Sequence, residues 1–337
     1  MINFIQFITT RAFLAIITLL AVSFIVFALM ELVPANCAER YLAFKNTQGS
    51  NITIEDIEAE ERRLGLDRPF LVRWSTWVSN IVIKRDFGNS CILRVRINDL
   101  MKDKFFLSLG ICLTALLFAY LIAVPVGIIS ATTRFRSLDN ALKLISYLGL
   151  AIPNFLLALI IILFSVVFFG DTMTGLFTPE YVNAPWSFDK FKNFLSRAWL
   201  PIFILGWSAT AFALQTVRAL ISDEYEKLYV VAAKARGISG MTLLWKYPAK
   251  HSLGPIINSL GFDLNRIFNE LPIVALILML TESGALLVES LARTNDQQLA
   301  GAIIILLTGT IIMLNFLTDV LLAVIDPRIR KGVMGGS

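Results

Sequence analysis

Charge is scarce in this chain. Asp, Glu, Lys and Arg make up 16% of its 337 residues, where soluble domains carry about a quarter. Hydrophobic residues reach 56% and the mean hydropathy is +0.71. Such a chain cannot clothe its surface for water, so most of it must face lipid. Histidine is scarcer still: His251 is the only one, which excludes an HExxH zinc site, and no metal or catalytic residues suggest themselves. There is no GxxxxGK[ST] loop to cradle a nucleotide phosphate, so the chain does not hydrolyse ATP by that means. A net charge of +5 is too modest to point to nucleic acid. "GISG" at 237–240 could mark an intramembrane serine protease, but Ser239 lies in a charged stretch with His251 close behind. No constellation for covalent catalysis is present.

What is abundant is apolar length. A bilayer core about 30 Å thick takes roughly 20 apolar residues of helix to cross. Six stretches qualify, at about 12–32, 105–131, 144–170, 198–221, 252–281 and 299–325. The expected fold is an all-α polytopic membrane protein, a single transmembrane domain over 1–337. The first run is too long for a cleaved signal peptide, and no small-residue cleavage site follows it. "PANC" at 34–37 likewise lacks the small residue of a lipoprotein site. Short loops set orientation. Loop 132–143 carries Arg134, Arg136 and Lys143; segment 222–251 carries Lys227, Lys234, Arg236, Lys246 and Lys250; the tail carries Arg328, Arg330 and Lys331. Six alternating spans put all three on one side, so both termini are expected in the cytoplasm.

Segments 33–104 and 171–197 then face outward. In 33–104, Thr53 followed by Glu55 and Asp56 reads as a helix start. Leu64, Leu66, Phe70, Trp74, Trp77 and Ile81 form an apolar, aromatic face suited to the membrane surface. Short helices capping the external side are expected, with a second cap from 171–197. Cys37 and Cys91 share the external segment. A disulfide between them would close a loop of about 55 residues and contribute roughly 3–4 kcal/mol; the alternative is two unpaired thiols. Cys112 reads as a packing residue in the second span.

Segment 222–251 is too polar for a span and too long for a plain connection. It reads as a helix over Asp223–Arg236, a stop at Gly237, and a second helix from the N-cap Ser239 to Tyr247. Leu228, Ala232 and Ala235 form a small-residue face with Ala233 beside it, which would let another protein approach closely.

The residues of that segment carry a resemblance. "YVVAAKARGISGMTLLWKYPAKHSLGPII" resembles the EAA-type cytoplasmic loop of ABC importer permeases, in the dipeptide/oligopeptide permease group; Tyr229, Ala233, Ala235, Gly237, Leu244 and Pro255 match directly. "LGLDRPFLVRW" with "DFGNS" (86–90) is similar to that group's first external loop. "GLAIPNFLLAL" (149–159) is similar to its third span, and "NFLTDVLLAVIDPRIR" (315–330) to its C-terminal signature. The resemblance covers nearly the whole chain. It implies a type I importer permease fold in a bacterial inner membrane, moving substrate by alternating access. It also implies a second homologous permease, two ATP-binding subunits holding ATP and Mg, and an external substrate-binding protein; this chain binds no cofactor. Glu224, Tyr229, Ala232, Ala233, Ala235, Arg236, Gly237, Ser239 and Lys246 become the expected ATPase-coupling residues.

The chain departs from that group at Tyr247, Pro248, Ala249, Lys250 and His251, and at Ala275, Leu278, Thr281, Glu282 and Gly284 after the fifth span. The altered fifth span, together with "FTPEYVNAPWS" in 171–197, leans the substrate from peptides toward oligosaccharides, and both stay open. In the fifth span, "GFDLNRIFNEL" puts Asp263, Arg266 and Glu270 on one helical face, about 12, 17 and 22 Å along from Pro255. Intramembrane charges usually face protein or a water-filled path. With Asn154, at a kink expected at Pro153, they are the expected translocation-path residues; the alternative for the triad is an internal salt bridge. Asn315 and Asp319 read as packing or interface groups. A stand-alone ion-coupled carrier using the Asp263–Arg266–Glu270 triad is the competing function, and it would leave segment 222–251 unexplained.

Overall fold

The computed structural model describes residues 2–32, 34–47, 49, 53–133, 135–170, 173–182, 184–294 and 296–325. Arg134, Arg328, Arg330, Lys331 and the end of the 315–330 signature lie outside the described residues. The first helices are α1 (Ile2–Leu32), α2 (Cys37–Thr47), α3 (Ile54–Leu64), α4 (Phe70–Ser79), α5 (Ile97–Thr132), α6 (Arg136–Ala151) and α7 (Asn154–Phe169). They are followed by α8 (Pro179–Val182), α9 (Phe188–Tyr225), α10 (Leu228–Ala235), α11 (Gly240–Lys246), α12 (Pro248–Ile277), α13 (Ser283–Ala292) and α14 (Gln297–Ile325). Among the described residues there is no β-strand, only an isolated bridge between Asn89 and Arg96.

Helices α1, α5, α9 and α14 are each long and apolar enough to cross a bilayer. α6 and α7 reach that standard only as a pair, bent by 95°. The expected kink is therefore a full break. Ile152 and Pro153 are extended, with ψ of 112° and 142°, because proline disfavours helical backbone in the residue before it and cannot donate to the turn behind it. α12 has 30 residues, about 45 Å, but Lys250, Asp263, Arg266 and Glu270 along it lower its hydropathy.

The chain forms two compact units. One comprises Ala12–Ser108 and Thr281–Met313. Its core gathers Val26 and Phe27 of α1, Trp77 of α4 and Ile305 of α14, with Phe70 and Trp74 against them. The rings meet edge-on, Phe24 lying 5.5 Å from both Phe70 and Trp74, the geometry that aromatic quadrupoles favour. Thr53 and Asp56 close a reciprocal capping box on α3, and Gly65, at φ +68°, ends that helix. Cys37 and Cys91 are joined in a disulfide with Cα atoms 5.4 Å apart. Next to Cys91, the buried Asp296 accepts from the Ser90 hydroxyl, from the Ile92 N–H at 3.3 Å and from the Leu299 N–H at 3.0 Å. Glu282, fully buried, caps α13 by accepting from the Gly284 and Ala285 N–H groups at 2.6 and 2.9 Å and from the Ser108 hydroxyl.

The other unit comprises Met1–Arg11, Leu109–Leu280 and Leu314–Ser337. α9 and α12 form its centre, burying Leu200, Ile204 and Leu205 on one and Ile267, Phe268 and Leu271 on the other. Small residues let helices close up, as membrane interfaces require: a Cβ on Gly206 would stand 2.9 Å from the Phe118 ring and 3.1 Å from the Ala115 carbonyl oxygen. Asp139 clamps three helices, accepting from Arg218 at 2.8 and 3.0 Å, from Lys143 at 2.6 Å and from Ser130 at 2.6 Å. Asp319 pairs with Arg11 at 3.2 Å. Asn315 Oδ1 stands 2.8 Å from where a Gly261 Cβ would lie. Asp319 is thus paired within this unit, and Asn315 lies close against Gly261.

Candidate functional site

Two features of the second unit can do work. The first is the segment after α9. α9 runs on to Tyr225 and ends where the Glu226 and Lys227 N–H groups turn back to Asp223 and Glu224. The single helix expected over Asp223–Arg236 is thus two, separated by the extended Lys227 (ψ 142°). Gly237, at φ +84°, then takes the chain out of α10, its N–H returning to Lys234 at 2.9 Å and that of Ile238 to Ala233 at 3.2 Å. Only a residue without a Cβ holds that backbone without strain. Ser239 occupies the N-cap position of α11 but makes no side-chain capping bond.

Beneath the segment, Val230 and Ala233 are fully buried and join Leu243, with Tyr225, Ile238 and Tyr247 packed around them. Ala233 therefore faces inward and is unavailable to a partner in this arrangement. Ala232, Ala235, Arg236, Gly237, Ser239 and Lys246 are exposed. Exposed with them are Leu228 at 85%, already placed on this face by its spacing, and Val231, Met241 at 68% and Trp245 at 57%, large apolar residues that spacing had not singled out. Their signal was legible: Leu228 and Val231 lie one turn apart on α10, Met241 and Trp245 one turn apart on α11. Tyr229 reaches back to donate to the Glu224 carboxylate and stacks 5.0 Å from His251. Partial burial first, and the Glu224 carboxylate second, push its hydroxyl up to about 12, so it stays a donor at any physiological pH.

The second feature is a polar network inside the helices. Asp263 on α12 pairs with Arg266 at 3.0 Å and accepts from the Tyr120 hydroxyl of α5 at 2.8 Å. That hydroxyl also lies 2.8 Å from Ser259. Arg266 donates to the Ser208 carbonyl of α9 at 3.1 Å and lies 5.0 Å over the Phe212 ring, a cation–π contact. Asn154, buried at the first turn of α7, donates to the Ser208 hydroxyl at 3.1 Å and to Glu270. The four expected path residues, on α7 and α12, are thus brought together around Ser208 of α9. Tyr120, Ser208 and Ser259 complete the network; they sit in apolar runs where one hydroxyl carries no pattern. Among the described residues no ion pair joins Arg266 to Glu270, and no trio of His, Cys, Asp or Glu could hold a metal.

Residues 123–331 match the family described as "Binding-protein-dependent transport system inner membrane component", and residues 4–94 match its N-terminal counterpart. The oligopeptide transport system permease protein AppB of Bacillus subtilis is 26% identical over 96% of this chain and 99% of its own length. The glutathione transport system permease protein GsiC of Escherichia coli K12 is 28% identical over 93% of this chain and 95% of its own. The putrescine export system permease protein SapB of the same strain is 27% identical over 77% and 86%. A solved inward-facing structure of the MetNI methionine ABC transporter superposes with a TM-score of 0.53 at 16% identity, covering 67% of this chain and 96% of that one; that likeness is one of fold. The family model spans more than half of the chain, which therefore belongs to the inner-membrane components of binding-protein-dependent transport systems and is a permease subunit of an ABC importer.

Proposed function

We propose that this permease forms half of a heterodimer with a second, homologous permease, crosses the bacterial inner membrane six times, and keeps both termini in the cytoplasm. Two ATP-binding subunits hold ATP and Mg and dock on residues 222–251; an external binding protein delivers the substrate. The observation that carries this reading is the coupling segment itself. Its outer surface presents Leu228, Val231, Met241 and Trp245 to solvent, while Val230, Ala233 and Leu243 fix its inner face. A firmly mounted apolar surface transmits a push, and an exposed patch of this kind marks a protein contact. Leu244 and Ala249 pack with Val217 and Ile221 of α9, so a displacement of α11 reaches α9 directly.

For the substrate, the names of the relatives favour peptides and other amine-bearing solutes over oligosaccharides. The path is lined by Asn154, Asp263, Arg266 and Glu270. The family match removes the support for an ion-coupled carrier. Gentle purification from the native membrane tests the assembly: a second permease and two ATPases should come with this chain, and vesicles should accumulate peptide only with ATP. A chain that purifies alone, and transports against an ion gradient without ATP, would sink the reading. The same vesicles settle direction, since import and export load opposite compartments.

A further inference from the structure

The polar network carries more negative than positive charge. Within this unit, α7 bears no Asp, Glu, Lys, Arg or His, nor does α5 beyond Leu109, nor α9 between Ala198 and Val217. The central charged groups are therefore Asp263, Arg266 and Glu270 of α12. Arg266 is committed to Asp263 at 3.0 Å and to the Ser208 carbonyl at 3.1 Å. Asp263 is buried and satisfied by Arg266 and Tyr120. Glu270 has one donor, the Asn154 amide, and no cation within ion-pair distance among the described residues. The oxygen of that same amide, on a residue only 3% exposed, has no hydrogen-bond partner. The partly exposed Glu270 carboxylate, with its single donor, and the unpartnered Asn154 amide oxygen thus stand side by side as spare acceptors; the Arg266 Nε–H is likewise without a partner. A lone carboxylate away from bulk water draws a cation strongly, and an ammonium supplies three donors to spare acceptors.

We infer that Glu270 receives the ammonium group of the transported molecule, so that this permease favours solutes bearing a free amine, such as a peptide N-terminus. The inference rests on the importer reading for its physiological meaning but not for its test. Arg266, already engaged, keeps the neighbouring Asp263 from competing for the same cation. Losing one charge-assisted contact of this type weakens binding by about 10-fold to 100-fold.

The test is a thermal-unfolding titration of the purified complex with alaninamide hydrochloride, a single-cation mimic of a peptide N-terminus. N-acetylalaninamide at matched ionic strength is the neutral control. The wild-type complex should gain stability saturably with alaninamide alone. Glu270→Gln, which keeps the Asn154 contact, should need about 10-fold to 100-fold more alaninamide for the same gain, and Glu270→Asp should fall between. Equal stabilisation by both compounds, none by either, or an unchanged midpoint in Glu270→Gln would overturn the proposal. So would loss of the partner subunits from Glu270→Gln, which would place the matching cation on another chain. Should the chain purify alone yet respond to alaninamide through Glu270, the amine site stands and the importer reading falls.

Discussion

Asp263 and Arg266, one turn apart on α12, close an ion pair at 3.0 Å in which the acid side chain is 2% exposed and the arginine 29%. The pair is asymmetric: the buried member depends on the half-exposed one.

Removing Arg266 should therefore do more harm than removing both. Arg266→Ala leaves a buried carboxylate without its cation and is expected to cost about 3–5 kcal/mol, read as a lower midpoint of thermal unfolding. Asp263→Ala/Arg266→Ala should recover a substantial part of that loss. A double variant no more stable than the single one would show that the pair is not what holds Asp263 in place.

The two neighbouring alanines of the coupling segment should behave differently. Ala233→Leu forces volume between Val230 and Leu243 and should destabilise the chain itself by about 1–3 kcal/mol. Ala232→Leu, on the exposed side, should leave stability within roughly 0.5 kcal/mol while lowering the amount of ATPase that co-purifies. Identical behaviour of the two variants would mean that the buried and exposed faces have been misassigned.

Gly206 has no room for a side chain. Gly206→Ala puts a methyl 3.1 Å from the Ala115 carbonyl oxygen and 2.9 Å from Phe118; the ring can rotate but the backbone oxygen cannot. A loss of about 1–3 kcal/mol is expected, seen as reduced yield of folded protein in detergent. Unchanged yield and unfolding midpoint would show that α5 and α9 can separate at little cost.

The unit built on Ala12–Ser108 and Thr281–Met313 should lose stability in acid. Glu60 accepts from Arg63 at 2.8 and 2.9 Å and from Arg94, and the Arg63 bond foremost holds its carboxyl below the usual range. A folded pKa below the unfolded one gives stability that is complete above the unfolded value and fades as pH falls toward the folded one. Glu60→Gln should flatten that acid limb of the stability curve. An unchanged limb would assign it to other carboxylates.

The Cys37–Cys91 bond closes a span of 54 residues, for which chain entropy gives about 4 kcal/mol. Cys37→Ser/Cys91→Ser should expose α2–α4 to proteases at temperatures where the native chain resists. Equal resistance with and without the bond would show that the aromatic core of Phe24, Phe27, Phe70, Trp74 and Trp77 suffices.

Much of this was legible in the sequence because membrane helices announce themselves by length and composition. Thr53 and Gly237 marked helix ends through local chemistry that acts within one turn, and the 3- and 4-residue spacing put Asp263, Arg266 and Glu270 on one face. Partner choice was not legible. Spacing alone allowed Arg266 to serve either acid, and only the approach of α9 and α7 commits it to Asp263 and Ser208 while leaving Glu270 to Asn154. The break at Glu226–Lys227 was hidden for a similar reason: both residues form helices readily, and it is the packing of Val230 and Ala233 onto Leu243 that turns the chain there. Ala233 turns inward although spacing set it beside the exposed small-residue face, because small residues suit both an inner contact and an outer one.

The break at Pro153 has a mechanical consequence. α7 holds 16 residues, about 24 Å of helix, against a hydrocarbon core of about 30 Å. A rod that short does not cover such a core alone, and α6 is set at 95° to it. Asn154 is fixed at the first turn of α7, directly after the break. The amide that holds Glu270 thus stands at the corner between two helices set at 95° to each other, so any change in that angle bears first on the Glu270 contact.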